Sequence, residues 1–232
     1  MTVLRRTVLV LLIAVLAVMS LGLATGSAQA APKVNVGGGT AIVLGGKYQC
    51  TMTAVGRDRS GGLVGLTAAH CAQGGNYNVS VRGKRAAGII GRVTLLSKGG
   101  DFAVVALDAA KVRPVRSVGQ ARISSVGRVP SFGTNVCKMG ATTGFTCGPM
   151  LQEGSVRTTS YVCAAAGDSG GPVLHGSRLV GMLNGGQRIG GVALQCPIAG
   201  FPIFSPMVAT KISDILAVLH QYGRAGAGFR PI

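Results

Sequence analysis

The sequence has no tryptophan, only four tyrosines and six phenylalanines, and only six acidic side chains in 232 residues. The shortage of aromatic rings leaves a base-stacking platform poorly supplied. Basic residues are spread from Lys33 to Arg230 without a cluster, so specific nucleic-acid binding is not expected. No Cys-x-x-Cys pair occurs, which argues against a zinc ribbon. Beyond the first thirty residues there is no apolar run long enough to span a membrane. Internal repeats and long linkers are also missing.

Six cysteines are present: Cys50, Cys71, Cys137, Cys147, Cys163 and Cys196. An even number in an exported chain implies disulfides, and six cysteines allow about fifteen pairings. Export is indicated by the amino terminus. Arg5 and Arg6 precede the apolar stretch Val8–Met19, and Ala28-Gln29-Ala30 follows as a small-x-small cleavage site. Residues 1–30 are therefore read as a secretory signal peptide, and residues 31–232 as one domain. The net charge is +17, of which Arg5 and Arg6 supply two. That excess favours solubility and attraction to anionic polymers of the cell envelope.

Glycine is abundant, with 38 residues, and the apolar runs are short and rich in valine and isoleucine. Tyr48–Val55, Leu63–Leu66, Tyr77–Val81, Ile89–Leu96, Phe102–Leu107, Val173–Leu174 and Leu179–Leu183 read as strands. Val208, Ile212, Ile215, Leu216, Leu219 and Tyr222 recur at helical spacing, and Gly223 stops the pattern. The fold class is all-β with a carboxy-terminal helix. Residues 224–232, Gly-rich and basic, read as a flexible tail.

The stretch Cys163–Leu174, CAAAGDSGGPVL, sets Ser169 among three glycines, beside one of the rare acids, Asp168. Glycine permits a tight turn that exposes a hydroxyl and its neighbouring amides. A serine nucleophile needs a histidine base, and the base needs an orienting partner. Of the three histidines, His70 in LTAAHC ends an apolar strand beside a cysteine. His175 sits in a turn and His220 near the end of the helix, both read as surface positions. Among the acids, Asp101 in KGGDFAVVAL opens a continuous apolar strand and is drawn toward the interior. There a carboxylate needs hydrogen-bond donors. Gly167-x-Ser169-x-Gly171 also satisfies the nucleophile-elbow pattern of α/β-hydrolases. That fold needs an acid and a histidine after the serine, and only Asp214 and His220 follow, on one helix.

TAAHC, GGDFAVV and GDSGGP, in that order, resemble the three catalytic segments of chymotrypsin-fold serine proteases. VCKMGATTGFTCG (Val136 to Gly148), VCAAAGDSGGPV and LNGG resemble the secreted bacterial branch, the streptogrisins and alpha-lytic protease. The resemblance runs from about Gly38 to Tyr222. It implies two six-stranded antiparallel β-barrels with a site between them, His70 as base, Asp101 as orienter and Ser169 as nucleophile. It further implies an oxyanion hole from the amides of Gly167 and Ser169, and a substrate-pairing strand at Asn184, Gly185 and Gly186. The implied bridges are Cys50–Cys71, Cys137–Cys147 and Cys163–Cys196. Asp168 is implied to be a structural anchor paired with a basic residue of the mid-chain hairpin, here Lys138. Asn184 stands where most of that branch has serine.

The implied activity is peptide-bond hydrolysis through an acyl-enzyme, by a secreted monomer acting on polypeptide substrates with no metal or organic cofactor. The segment Tyr161–Ala166 flanks the implied primary pocket and carries no acid, so a small-to-medium apolar side chain is expected there. The alternative is an inactive relative that binds extended peptides or anionic polymers in the same cleft.

Overall fold

A computed structural model describes residues 32–73, 77–188, 190–196, 198, 200–223 and 225–232. Residues 1–30, read as a signal peptide, lie outside them. The chain divides into two units, Met1–Pro32 and Lys33–Ile232, and the second carries every strand and helix named below.

The strands run β1 (Val34–Val36), β2 (Ala41–Leu44), β3 (Tyr48–Thr51), β4 (Ala54–Arg57), β5 (Leu63–Ala68), β6 (Asn78–Val81), β7 (Ile89–Ser97) and β8 (Phe102–Leu107). Short connecting strands come next: β9 (Val112–Pro114), β10 (Ser117–Val118), β11 (Ala121–Arg122) and β12 (Ser125–Val126). The second half holds β13 (Asn135–Gly140), β14 (Gly144–Glu153), β15 (Arg157–Ser160), β16 (Pro172–His175), β17 (Arg178–Gly186) and β18 (Met207–Lys211). One α-helix, α1 (Ile212–Tyr222), and β19 (Arg230–Pro231) complete the described chain.

In the second half β17-β16-β13-β14-β15-β18 form a ladder whose ends also pair, β18 with β17, so the sheet closes as a six-stranded barrel. The first half is a curled sheet in the order β19-β4-β5-β8-β7-β6-β2-β3. Apart from the two-residue β19, which pairs with β4, its two ends belong to one bent segment: β3 pairs with β2, and β4 pairs with β5. Only Met52 and Thr53 lie between β3 and β4. The chain itself thus joins the edges, where the sequence suggested one unbroken strand, Tyr48–Val55. The break is bridged by hydrogen bonds from Met52 N–H to Thr40 O and from Thr53 N–H to Leu66 O.

The architecture is the chymotrypsin-like double barrel, with one barrel fully laddered and the other curled. The first core includes Ile42, Leu44, Leu66, Ile90 and Phe102 from strands and Met52 from the bend between β3 and β4; the second is built from Val136, Met150, Val162, Val173, Val180 and Leu183. All three disulfides join the expected partners, Cys50–Cys71, Cys137–Cys147 and Cys163–Cys196.

Two local expectations change. The helical periodicity began at Val208, yet Met207–Lys211 is strand and the helix starts at Ile212. Edges of β15 and β17 are both open to this segment, and pairing with both outweighs a weak helical pattern. Gly223 ends the helix as expected, in the left-handed conformation at φ 62°. Residues 225–232 pack back on the first sheet, against the expectation of a flexible tail. Arg230 and Pro231 pair with Arg57 and Gly56, and Ala227 and Phe229 are buried. Apolar burial of Phe229 and added ladder bonds outweigh the entropy of a short glycine-rich segment.

Candidate active site

The register of the first sheet assembles half of the site. β5 and β8 are antiparallel, with Ala68 opposite Phe102. The turn that follows Ala68 therefore meets the residue that precedes Phe102. The 3₁₀ turn Ala69–Ala72 carries His70, and the residue before Phe102 is Asp101. Cys50–Cys71 ties the turn to β3 directly beside the imidazole.

His70 Nδ1 lies 2.9 Å from Asp101 Oδ2 and 3.1 Å from Oδ1, and the His70 backbone N–H donates to Oδ1 at 3.0 Å. Asp101 is the single non-glycine residue with positive φ among the described residues, at 49°. That conformation costs energy for a residue with a Cβ and is held by its neighbours: Ala69 N–H donates to the Asp101 carbonyl. From the second barrel, Asn184 Nδ2 donates to the same carbonyl at 3.1 Å and to Oδ2 at 2.9 Å. Burial pushes the Asp101 carboxyl up; the hydrogen bond and charge of His70, the His70 amide and the Asn184 amide outweigh it and leave the group below its usual value.

Asn184 is itself positioned. It occupies a register shift between Leu183 and Gly185 where β17 meets β18, and Thr210 Oγ1 on β18 lies 2.8 Å from Asn184 Oδ1 and 2.9 Å from Gly100 O. The hydroxyl has one proton, so it serves one acceptor at a time. Turning the amide over would set its oxygen against the Asp101 carboxylate. Asparagine thus fills the role expected of a serine. Thr210 was not legible, since nothing in a strand sequence says which inward threonine meets which loop.

Ser169 sits in the turn that leads into β16. Gly167 and Gly170 have φ of 96° and 84°; a Cβ on Gly170 would lie 2.2 Å from Thr51 O. The turn is fastened to the first barrel. Thr51 N–H donates to Ser169 O at 2.8 Å, Thr51 Oγ1 to Gly167 O at 2.9 Å and Thr53 Oγ1 to Gly170 O at 2.6 Å. Cys71 Sγ lies 3.9 Å from Ser169 O. The stretch bearing His70 and the stretch bearing Ser169 therefore meet across the two barrels.

The Ser169 hydroxyl donates to the Asn184 carbonyl at 3.3 Å, and among the described residues no hydrogen bond links it to His70. The Gly167 and Ser169 amides have no intramolecular acceptor among those residues, while Asp168 N–H and Gly170 N–H are both bonded.

Asp168 lies beneath this turn, fully buried with Lys138 at 3.2 Å. Its Oδ1 accepts from the amides of Thr142 and Thr143, and its Oδ2 from Thr143 Oγ1 and Ala165 N–H. Lys138 Nζ also donates to Thr143 Oγ1 and Gly144 O. Burial pushes the Lys138 ammonium down from its ordinary value, and Asp168 partly offsets this. The two threonines of MGATTG (Met139–Gly144) thus share the work expected of the basic residue alone.

Beside Ser169 is a cavity of about 210 Å³ lined by Ala164–Ala166, Leu183, Gly185, Gly186, Ala193, Leu194 and Gln195. None of these is charged. Gln195 Oε1 accepts from Ala166 N–H at 2.7 Å, and Cys163–Cys196 links the two walls. His175 and His220 lie apart from the site, each against an arginine: Arg178 and Arg59.

Residues 40–201 match the family model described as Trypsin, and the chain belongs to the trypsin family of serine-type endopeptidases. It is 32% identical over 187 residues to streptogrisin-C of Streptomyces griseus, a match that takes in 75% of this chain and 38% of that protein. The chain thus spans well under half the length of that curated relative. Among solved structures it is similar to Cellulomonas bogoriensis chymotrypsin, at 26% identity and a TM-score of 0.61, covering 86% of this chain and 99% of that one. It also superimposes on Thermobifida fusca protease A, with a TM-score of 0.63, 23% identity, and coverage of 86% and 100%; this second likeness concerns the fold.

Proposed function

We propose that the protein is a secreted endopeptidase in which His70, Asp101 and Ser169 act as base, orienter and nucleophile. The observation that carries this reading is the Asp101 carboxylate bonded to His70 Nδ1 at 2.9 Å, together with a glycine turn whose Gly167 and Ser169 amides have no acceptor among the described residues. With Nδ1–H committed to Asp101, Nε2 is left to accept a proton.

In the reaction, Ser169 Oγ leaves the Asn184 carbonyl by rotation about χ1 and gives its proton to His70 as it attacks a peptide carbonyl. Negative charge on that oxygen is received by the Gly167 and Ser169 amides, each worth about 10²–10³ in rate. His70 returns the proton to the leaving amine, and water releases the acyl group. The open edge of β17 at Gly185 and Gly186 offers the substrate backbone a strand to pair with. The small neutral cavity beside Ser169 suits an alanine-, valine- or leucine-sized side chain before the cut bond.

A serine-directed fluorophosphonate tests the assignment. Labelling of Ser169 in the wild type, lost in Ser169→Ala and His70→Ala, is the expected result. A folded, oxidised protein that neither labels nor cleaves peptides would leave a cleft that only binds. Amino-terminal sequencing of material from the medium tests export, with a start at Ala31 expected.

A further inference from the structure

The return of the carboxy terminus builds a second cavity, of about 780 Å³, between β4, β19 and one face of α1. Three arginines, Arg57, Arg59 and Arg230, line it together with His220 and Ser213, and Arg57 Nη1 donates to the carbonyl of Gly61, another lining residue, at 2.7 Å. Their arrangement runs against ordinary charge placement. Arg57 and Arg230 are directly opposite each other in an antiparallel pair, where like charges repel. Arg59 Nη2 lies 3.2 Å from His220 Nδ1; a guanidinium can only donate, so Nδ1 accepts and the imidazole hydrogen is on Nε2.

The one acid in the lining, Asp58, is committed to its own turn and to the returning carboxy-terminal segment. Oδ1 accepts from Ser60 N–H, Ser60 Oγ and Gly62 N–H, and Oδ2 from Gly226 N–H. Among the described residues no salt bridge reaches any of the three arginines. Ser213 and His220 lie seven positions apart on α1, two turns along one face, and Leu216, Ala217 and Phe229 line the same cavity.

We propose that this cavity is an anion site for a ligand carrying two or more phosphate groups. Planar guanidinium forks match phosphate oxygens in pairs, and three arginines lining one cavity call for more negative charge than a single carboxylate brings. Occupation would hold the protein to a phosphate-rich polymer through a cavity that shares no lining residue with the one beside Ser169. The site stands independently of the peptidase reading.

Calorimetric titration of the processed, oxidised protein at about 150 mM salt, the physiological range, tests it with inorganic pyrophosphate, linear polyphosphate and acetate. Binding of pyrophosphate and polyphosphate but not acetate is expected, weakened at least tenfold in Arg59→Gln/Arg230→Gln. The charge-matched control Arg113→Gln/Arg122→Gln, at exposed positions elsewhere, should change it less than twofold. Equal weakening by both pairs would mean that net charge alone attracts the polymer and would overturn the site, as would failure of pyrophosphate to bind. If Arg230→Gln disturbs β19, the single variants Arg57→Gln and Arg59→Gln decide: each should weaken binding threefold or more, and no effect of either overturns the proposal.

Discussion

Asn184, on a strand of the second barrel, gives its side-chain amide to both the carbonyl and the carboxylate of Asp101, a residue of the first barrel. The Asp101 carboxylate is thereby held from both halves of the molecule. Asn184→Ala removes a hydrogen bond to an ionised group, a contact worth about 1.5–3 kcal/mol. A fall of about tenfold or more in kcat/KM is expected from steady-state peptide hydrolysis, with Asn184→Ser recovering most of it. Full activity in the alanine variant would show that Asp101 is held well enough by His70 alone.

Lys138 and Asp168 make a buried pair, and removing one partner strands the other. Breaking such a pair costs about 3–5 kcal/mol. Lys138→Met should therefore lower the urea midpoint strongly and abolish fluorophosphonate labelling, because the turn carrying the Gly167 and Ser169 amides rests on Asp168. Lys138→Arg keeps the charge but enlarges the head group; partial activity is expected. Undiminished labelling of Lys138→Met would show that Thr142 and Thr143 suffice.

The same pair separates activity from stability at high pH. Burial lowers the Lys138 ammonium from 10.5, so just below that value the folded protein binds fewer protons than the unfolded chain. By linkage this group's contribution to stability rises with pH in that window. A neutral Lys138 nevertheless leaves Asp168 without its counter-charge. Activity should fall reversibly on the alkaline side while near-ultraviolet dichroism stays native.

At the acid end the sign is the usual one for a carboxylate. Asp101 lies below its ordinary 3.8, and its stabilising contribution is present above that value and lost as pH falls through the folded one. Asp101→Asn should flatten the acid limb of the denaturation curve relative to wild type. An identical limb in the two proteins would place the acid sensitivity elsewhere.

The lining of the cavity beside Ser169 makes a prediction about substrate. In a peptide library, small and medium apolar residues should precede the cut, and lysine and arginine should be depleted. Ala193→Leu should reduce cleavage after leucine at least tenfold more than cleavage after alanine. Dominant cutting after basic residues would contradict the neutral lining.

Much of this site was legible because its parts are short, contiguous and chemically restricted. Ser169 needs glycines on either side at positive φ, His70 stands beside a bridging cysteine, and Asp101 opens a buried strand. The disulfide partners followed from the resemblance and not from spacing, since six half-cystines leave many arrangements open. What stayed hidden depends on pairing between distant segments. Thr210 and Asn184 are 26 residues apart and meet because β17 and β18 close the barrel. Val208 had helical spacing but lies where two strand edges were open. The glycine-rich end reads as a loose tail because its partner, β4, is remote in sequence.

Thr51 and Thr53 in the first barrel grip the backbone around Ser169 in the second. The turn that bears Ser169 therefore does not draw its shape from its own half alone, so on the proposed reading competence to cut waits upon docking of both lobes.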